Sequence, residues 1–249
     1  MKALLVGESW SILATHTKGF DHVSLGRYHE AGGPLIEALE GQEIKVDYMP
    51  SDSAQLHFPE KMVDLESYNA VIFSDVGSNS MLLHPKVQYE CARMTNRLEL
   101  VKDYVENGGG FLMCGGYMSY SGIEGKARYH MTPIADILPV IMLPYDDRVE
   151  KPEGIFPKIV DDSHPVLDGL KGLEWPDFLG YNKLSVKNKA QLIGTFGEDV
   201  FMAAWDYGKG RAFSFASDCV PHWGSPEFVA WPGYAILFSN IIKWLSKKI

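Results

Sequence analysis

Apolar residues along this chain fall into short runs punctuated by turn residues, and the spacing inside the runs switches between strand and helix periods. Lys2 to Gly7 is an uninterrupted apolar run closed by glycine, which predicts a central strand buried on both faces. From Glu8 to Tyr28 polar and aromatic residues mix without a clean period, which predicts a loop at the carboxyl edge of that strand. Ala31 to Gly41 carries Pro34 near its first turn and Gly41 at its end, the punctuation of a helix. Ile44, Val46 and Tyr48 alternate as a second strand, broken by Pro50. Tyr68 to Asp75 is a third, running into the polar cluster Ser74 to Asn79. Val87 to Val105 shows helical spacing at Leu98, Val101, Tyr104 and Val105, with Asn107-Gly108 as its cap. Gly110 to Cys114 then reads as a fourth parallel strand.

Pro133 to Pro139 is a short helical segment. Val140 to Gly180 is rich in Pro and Asp and predicts a long irregular stretch, with too few periodic apolar positions to form a second core. Residues 1–249 are therefore expected to form one domain. Gln191 to Phe196 is another strand, and Val200 to Ala216 an antiparallel hairpin around Asp206-Tyr-Gly-Lys-Gly210. Trp231 to Leu245 is a closing amphipathic helix with Lys243, Lys247 and Lys248 toward the negative end of its dipole. Alternating strands and helices predict an α/β fold with a mostly parallel sheet.

The chain has 249 residues, 46% of them apolar and 22% charged, ordinary values for a globular protein. A net charge of -9 argues against nucleic acid or an anionic membrane as partner, because both recruit basic surfaces. The apolar start is too short for a signal peptide, and no run approaches the ~20 residues that cross a bilayer. Cys91, Cys114 and Cys219 are odd in number and widely spaced, which suits a reducing cytoplasm and lacks the close pairing of a zinc site. The expectation is a cytoplasmic protein acting on a small-molecule substrate, with no cofactor or metal.

Chemistry is expected where strands end. Cys114 closes its strand and is followed by Gly115 and Gly116, which allow a sharp strand-to-helix turn. A second polar cluster, Ser217 to Glu227, carries His222. Both clusters would share one sheet edge, so His222 could lower the thiol pKa and act as base, with Glu227, or failing that Asp218, orienting the imidazole. Gly115 would offer an oxyanion N–H, with a second loop near Gly77. Tyr117, Tyr120, Arg128 and His130 follow the turn and could line the same cleft; Ser9, Trp10, His16 and His22 could do so from the first loop. The plainer alternative is also open. Cys114 is then a small buried hydrophobe, Cys91 a half-buried one, and the aromatic residues Trp10, Tyr117, Tyr120, Trp223 and Trp231 suit stacking on a sugar-like ligand.

The order of elements, the Gly108-Gly-Gly-Phe-Leu-Met-Cys-Gly-Gly116 stretch and the His222 loop before the last helix resemble the class I glutamine amidotransferase-like superfamily. Within it the chain resembles the group named putative glutamine amidotransferases, neighbours of the trehalose-utilisation (ThuA-like) proteins. The resemblance implies a flavodoxin-like three-layer sandwich and, in active relatives, glutamine hydrolysis through a cysteinyl thioester. It implies Cys114 as nucleophile, Gly116 as the glycine two residues on and His222 as base, and it implies a synthetase or homo-oligomer partner. The chain departs from the pattern of active relatives at three places: Leu112 stands for Gly, Met118 for Gln, and Gly224 for the acid two residues after the histidine. The alternative is a non-thiol relative that binds a small polar metabolite or sugar in the same cleft.

Overall fold

The computed structural model describes residues 1–249. The first strand, β1 (Lys2–Gly7), is buried as its apolar run requires. It leads directly into β2 (Ser9–Lys18) and β3 (Asp21–Glu30), an antiparallel pair with almost every residue exposed. The expected loop is thus a hairpin. Its polar–apolar mixture carries no burial signal because the arm packs on nothing along most of its length. Helix α1 (Gly33–Glu40) turns Leu35 and Leu39 inward, and β4 (Lys45–Met49) follows. Short helices α2 (Ser51–His57) and α3 (Met62–Leu65) precede β5 (Ala70–Ser74).

Beyond β5 come α4 (Ser78–Leu82), α5 (Pro85–Glu90) and α6 (Arg97–Glu106). The expected single helix is therefore two. Cys91 ends α5 in the left-handed region, φ 53°, and is exposed rather than half-buried. Asn96 restarts the helix by accepting the N–H groups of Leu98 and Glu99. Next are β6 (Gly110–Cys114), α7 (Ile134–Ile137), β7 (Val140–Met142), β8 (Arg148–Ile155), β9 (Lys158–Ile159), β10 (Phe178–Asn182) and β11 (Leu184–Val186). The stretch expected to be irregular thus holds four strands. β8 pairs with β10 and β7 with β11, as two-stranded ribbons beside the main sheet. Their Pro and Asp residues hid them, because edge ribbons bury only part of each strand. The chain closes with β12 (Gln191–Phe196), β13 (Asp199–Tyr207), β14 (Gly210–Phe215), α8 (Pro226–Ala230) and α9 (Gly233–Leu245).

Eight strands form the main sheet in the order β4-β1-β5-β6-β14-β13-β12-β9. The five from β4 to β14 are parallel, and β13, β12 and β9 continue it antiparallel. This is the mostly parallel, flavodoxin-like α/β sandwich. Alternation along each strand divides the core in two. Leu112 and Cys114 face one layer with Ala3, Leu5 and Phe215, packed under α1 and α9. Phe111 and Met113 face the other with Leu4, Val6 and Phe73, packed under α6 and its neighbours. Both faces being covered leaves the carboxyl ends of the parallel strands as the place where polar side chains can gather.

Candidate functional site

Three parallel strands end in acids or lead into them. β1 is followed by Glu8, β5 by Asp75, and β14 by Ser217-Asp218. Glu8 and Asp75 both hold positive φ, 48° and 44°, a region that non-glycine residues rarely adopt. The chain thus bends sharply at each strand end and sends the carboxyl back toward its neighbours. Gly116 makes room for them at φ 140°. A β-carbon there would lie 2.7 Å from Asp218 Oδ1 and 2.8 Å from Asp75 Oδ1, so both carboxylates crowd one glycine.

His222 completes the cluster. Its Nδ1 lies 2.7 Å from Asp218 Oδ2, which also accepts the Trp223 backbone N–H at 3.1 Å. This fixes the ring so that Nε2 is the nitrogen left for a ligand. Tyr117 meets the imidazole edge-on, ring centres 4.5 Å apart, and donates its hydroxyl to Glu150 Oε1 at 3.0 Å. Glu150 Oε2 accepts the Trp223 indole N–H, also at 3.0 Å, so one carboxylate braces both aromatic neighbours of the histidine. The cleft above has a volume of about 430 Å³, within the range of small-molecule sites. Glu8, Asp75, Asp218 and His222 provide its polar lining and Trp10 and Tyr117 its aromatic walls; Met118, Ile123, Val220 and Pro221 complete it, and no lysine or arginine lines it.

The electrostatics follow from crowding acids in a partly dry place. Burial, with the charges of Asp218 and Asp75, pushes Glu8 well above the usual carboxylate range, and its carboxyl also takes the Ser74 hydroxyl as donor. Burial and the Asp218 charge raise Asp75 to about 6, although the Met118 N–H donated to it at 2.6 Å favours the ionised form. Asp218 is raised by burial too, less so because it bonds His222. The Asp218 hydrogen bond raises His222, so the imidazolium persists to higher pH than usual. Near neutrality the site therefore offers both proton donors and acceptors.

A family model described as "Putative glutamine amidotransferase" matches residues 2–247. The chain belongs to this family of glutamine amidotransferase-like proteins. Among solved structures, the cytoplasmic protein STM3548 from Salmonella typhimurium is 42% identical with a TM-score of 0.95, the alignment covering 98% of this chain and 99% of that one. The cytoplasmic protein STM1381 from Salmonella typhimurium LT2 is also 42% identical, with a TM-score of 0.94 and the same coverage. A ThuA-like protein from Bacteroides uniformis shares the fold at 12% identity and a TM-score of 0.58, over 98% of this chain and 90% of that one. No curated protein matches the chain.

In this amidotransferase-like chain, Cys114 is fully buried, on the α1–α9 side of the sheet, and does not line the cleft. Its sulfur neighbours Cys219, whose thiol is pushed up by that contact, by burial and by the charge of Glu8. The Gly115 N–H is already donated to the carbonyls of Phe215 and Ser217, both at 2.8 Å, and the Gly116 N–H to Asn182 Oδ1 at 3.0 Å. Neither is free for an oxyanion. Gly77 caps α4 against the Met118 side chain, outside the cleft lining. The carboxylate that orients His222 is Asp218; Glu227 lies exposed in the first turn of α8.

Trp10 and Tyr117 do line the cleft, but Ser9 is buried beneath it, accepting the Ser51 N–H at 2.7 Å. Arg128 is exposed and turned toward Met131, His130 bonds Ser121, and Tyr120 is buried with its hydroxyl on Met113 and Ser214. His16 and His22 lie out on the exposed hairpin. Trp223 packs beside the histidine, and Trp231 packs at a tilt against Trp175 away from the cleft. Glu8, Asp75 and Glu150 are site residues beyond those expected from the sequence. The first two had a usable signal, an acid directly after a buried parallel strand, but nothing marked Glu150 on an edge ribbon.

Proposed function

We propose that this protein is a non-thiol member of its family that binds a small, neutral, hydroxyl-rich metabolite of sugar-like character in the cleft, and moves a proton on it through His222. The observation that carries this reading is the Asp218–His222 pair facing a cleft with two further carboxyls, Glu8 and Asp75, while Cys114 lies outside that cleft. Carboxyl groups accept hydrogen bonds from hydroxyls, and Trp10 and Tyr117 offer flat apolar faces to a sugar ring. An anionic ligand meets no lysine or arginine in the lining, so the α-carboxylate of glutamine has no bidentate partner there.

In this reading ionised Asp75, with a pKa of about 6, withdraws a proton from the bound metabolite. The His222 imidazolium, held by Asp218, returns one through Nε2. The names of the two Salmonella relatives support a cytoplasmic setting for the chain. The competing reading, glutamine hydrolysis by Cys114 and His222, requires the turn after β6 to open and release the Gly115 and Gly116 N–H groups.

The deciding experiment screens wild-type protein by calorimetry against neutral monosaccharides and polyols, with glutamine alongside. The substrate found is then followed in a turnover assay. A neutral polyhydroxylated ligand is expected to bind, and His222→Asn to lower turnover by about 10²–10⁴-fold while binding changes little. Glutamine hydrolysis by wild type that Cys114→Ser abolishes would overturn the reading.

A further inference from the structure

The β8–β10 ribbon contributes nothing to the cleft lining, yet the loop that carries His222 is fastened to it. The Leu179 N–H is donated to the Trp223 carbonyl at 2.8 Å, the Ser217 hydroxyl to the Gly180 carbonyl at 2.7 Å, and the Ser225 hydroxyl to the Asp177 carbonyl at 3.0 Å. Gly180 on β10 stands opposite Glu150 on β8. A β-carbon at Gly180 would lie 2.3 Å from Trp223 Nε1, so only a glycine lets the indole lie against the strand there. Trp223 is buried in that place with its N–H on Glu150 Oε2.

The other oxygen of Glu150 accepts the Tyr117 hydroxyl. A carboxylate suits this position because it offers two acceptor oxygens and no competing donor, while an indole N–H can only donate. Arg148 leaves it free for that task. Its guanidinium forks onto Asp146 at 3.0 and 2.8 Å, lies 4.8 Å from the Tyr117 ring centre, and comes only within 3.6 Å of Glu150 Oε1. The Tyr117 and Trp223 rings also touch each other edge-on, centres 5.5 Å apart, so the two aromatic rings and the imidazole form one packed group.

We propose that Glu150 is a positioning residue for His222, fixing the imidazole against Tyr117 and Trp223 and setting a negative charge behind it. Its consequence for turnover rests on the proton-transfer reading above; its effect on the imidazole does not. Trp223 lies nearly parallel to the His222 ring, at 5.6 Å and 21°, and Tyr117 meets it edge-on, so a shift of either ring moves the acid. The charged groups around the imidazole are Asp218 after β14, Asp75 after β5 and Glu150 on β8, with Glu8 in the same cleft and Arg148 behind Tyr117. The Asp218 hydrogen bond raises His222 most, burial opposes it, and the charges of Asp218, Asp75 and Glu150 add to the rise. The Glu150 side chain is 48% exposed, so water screens its charge and positioning is the larger part of its role.

Proton NMR of the full-length protein reads this without a ligand. The His222 ring C–H signal, identified by its loss in His222→Asn, is followed against pH. Glu150→Gln keeps the side-chain shape but has one acceptor for two donors and no charge, so its His222 midpoint should fall below that of wild type. Glu153→Gln removes the same charge further along β8, where Glu153 pairs with Lys151 at 3.6 Å outside the cleft lining, and should leave the midpoint in place. In the turnover assay kcat of Glu150→Gln should fall about tenfold with KM little changed. The alkaline limb of its pH profile should move to lower pH along with the NMR midpoint. Glu150→Asp keeps the charge on a side chain too short to reach both rings; its midpoint should stay nearer wild type while its turnover falls as far. A wild-type midpoint in Glu150→Gln, or full turnover by Glu150→Asp, overturns the assignment. Turnover that survives His222→Asn, with the midpoint shift of Glu150→Gln intact, overturns the proton-transfer reading instead and leaves the positioning of the imidazole standing.

Discussion

Asp75 and Cys114 end neighbouring strands, and their surroundings set them opposite tasks. The carboxyl of Asp75 holds its proton to about pH 6, because burial and Asp218 both oppose its charge. The folded protein thus binds that proton more tightly than the unfolded chain, and ionisation costs stability as pH rises from about 4 through 6. Asp75→Asn, which keeps an oxygen to accept the Met118 N–H, should stabilise the protein by about 1–2 kcal/mol near pH 7.5. The gain should vanish below about pH 4, as read from urea unfolding. Cys114 is fully buried with its sulfur against Cys219, so iodoacetamide should label exposed Cys91 quickly in the native protein, and Cys114 and Cys219 only on unfolding. Rapid native labelling of Cys114 would instead bring the thiol reading forward. Both residues were visible in the sequence as strand ends. Which of them faces the cleft was not, because that depends on where each turn sends its side chain.

At the scale of elements, the turn after β6 is held from outside itself. Asn182, at the end of β10, accepts the Gly116 N–H and donates to Asp147 at 2.9 Å, while Asp147 accepts the N–H groups of Ser121 and Gly122, both at 2.9 Å. Gly116 has no tolerance for a side chain in this frame, since its φ of 140° and the two nearby carboxylate oxygens both exclude one. Gly116→Ala should cost roughly 2–4 kcal/mol, measured by chemical denaturation, and should disturb the cleft. A neutral outcome would mean that the acids are less crowded than the geometry requires. The buried strands were legible as uninterrupted apolar runs, covered on both faces, and the long helices because each buries one side at a regular period. The β2–β3 arm and the ribbons β8–β10 and β7–β11 were not, because their pairing is non-local and burial along them is slight or one-sided.

Across the whole molecule, the clustered acids shift the pH of greatest stability. Glu8, Asp75 and Asp218 all hold protons more tightly folded than unfolded, and so does His222, by virtue of Asp218. The His222 contribution is complete below its ordinary pKa of about 6.5 and is lost as pH rises through its raised folded value. Asp47, Asp146 and Asp161 act in the opposite sense: lowered by Lys2, Arg148 and Ser163, they contribute above about pH 3.8 and lose that contribution on acidification. Urea midpoints should therefore be highest near about pH 5 and fall toward pH 8. A midpoint that rises toward pH 8 would show that the cleft acids are not perturbed in concert. Local periodicity was enough to specify the alternation of buried strands and helices, the parallel sheet and the edge where polar residues collect, because burial is written into spacing along the chain. The composition of the site was decided only by tertiary structure. Strands far apart in sequence had to be set side by side before Asp75 and Asp218 could crowd Gly116 and Glu8 could join them in one cleft, and the chain had to turn after β6 before Cys114 was sealed away from it.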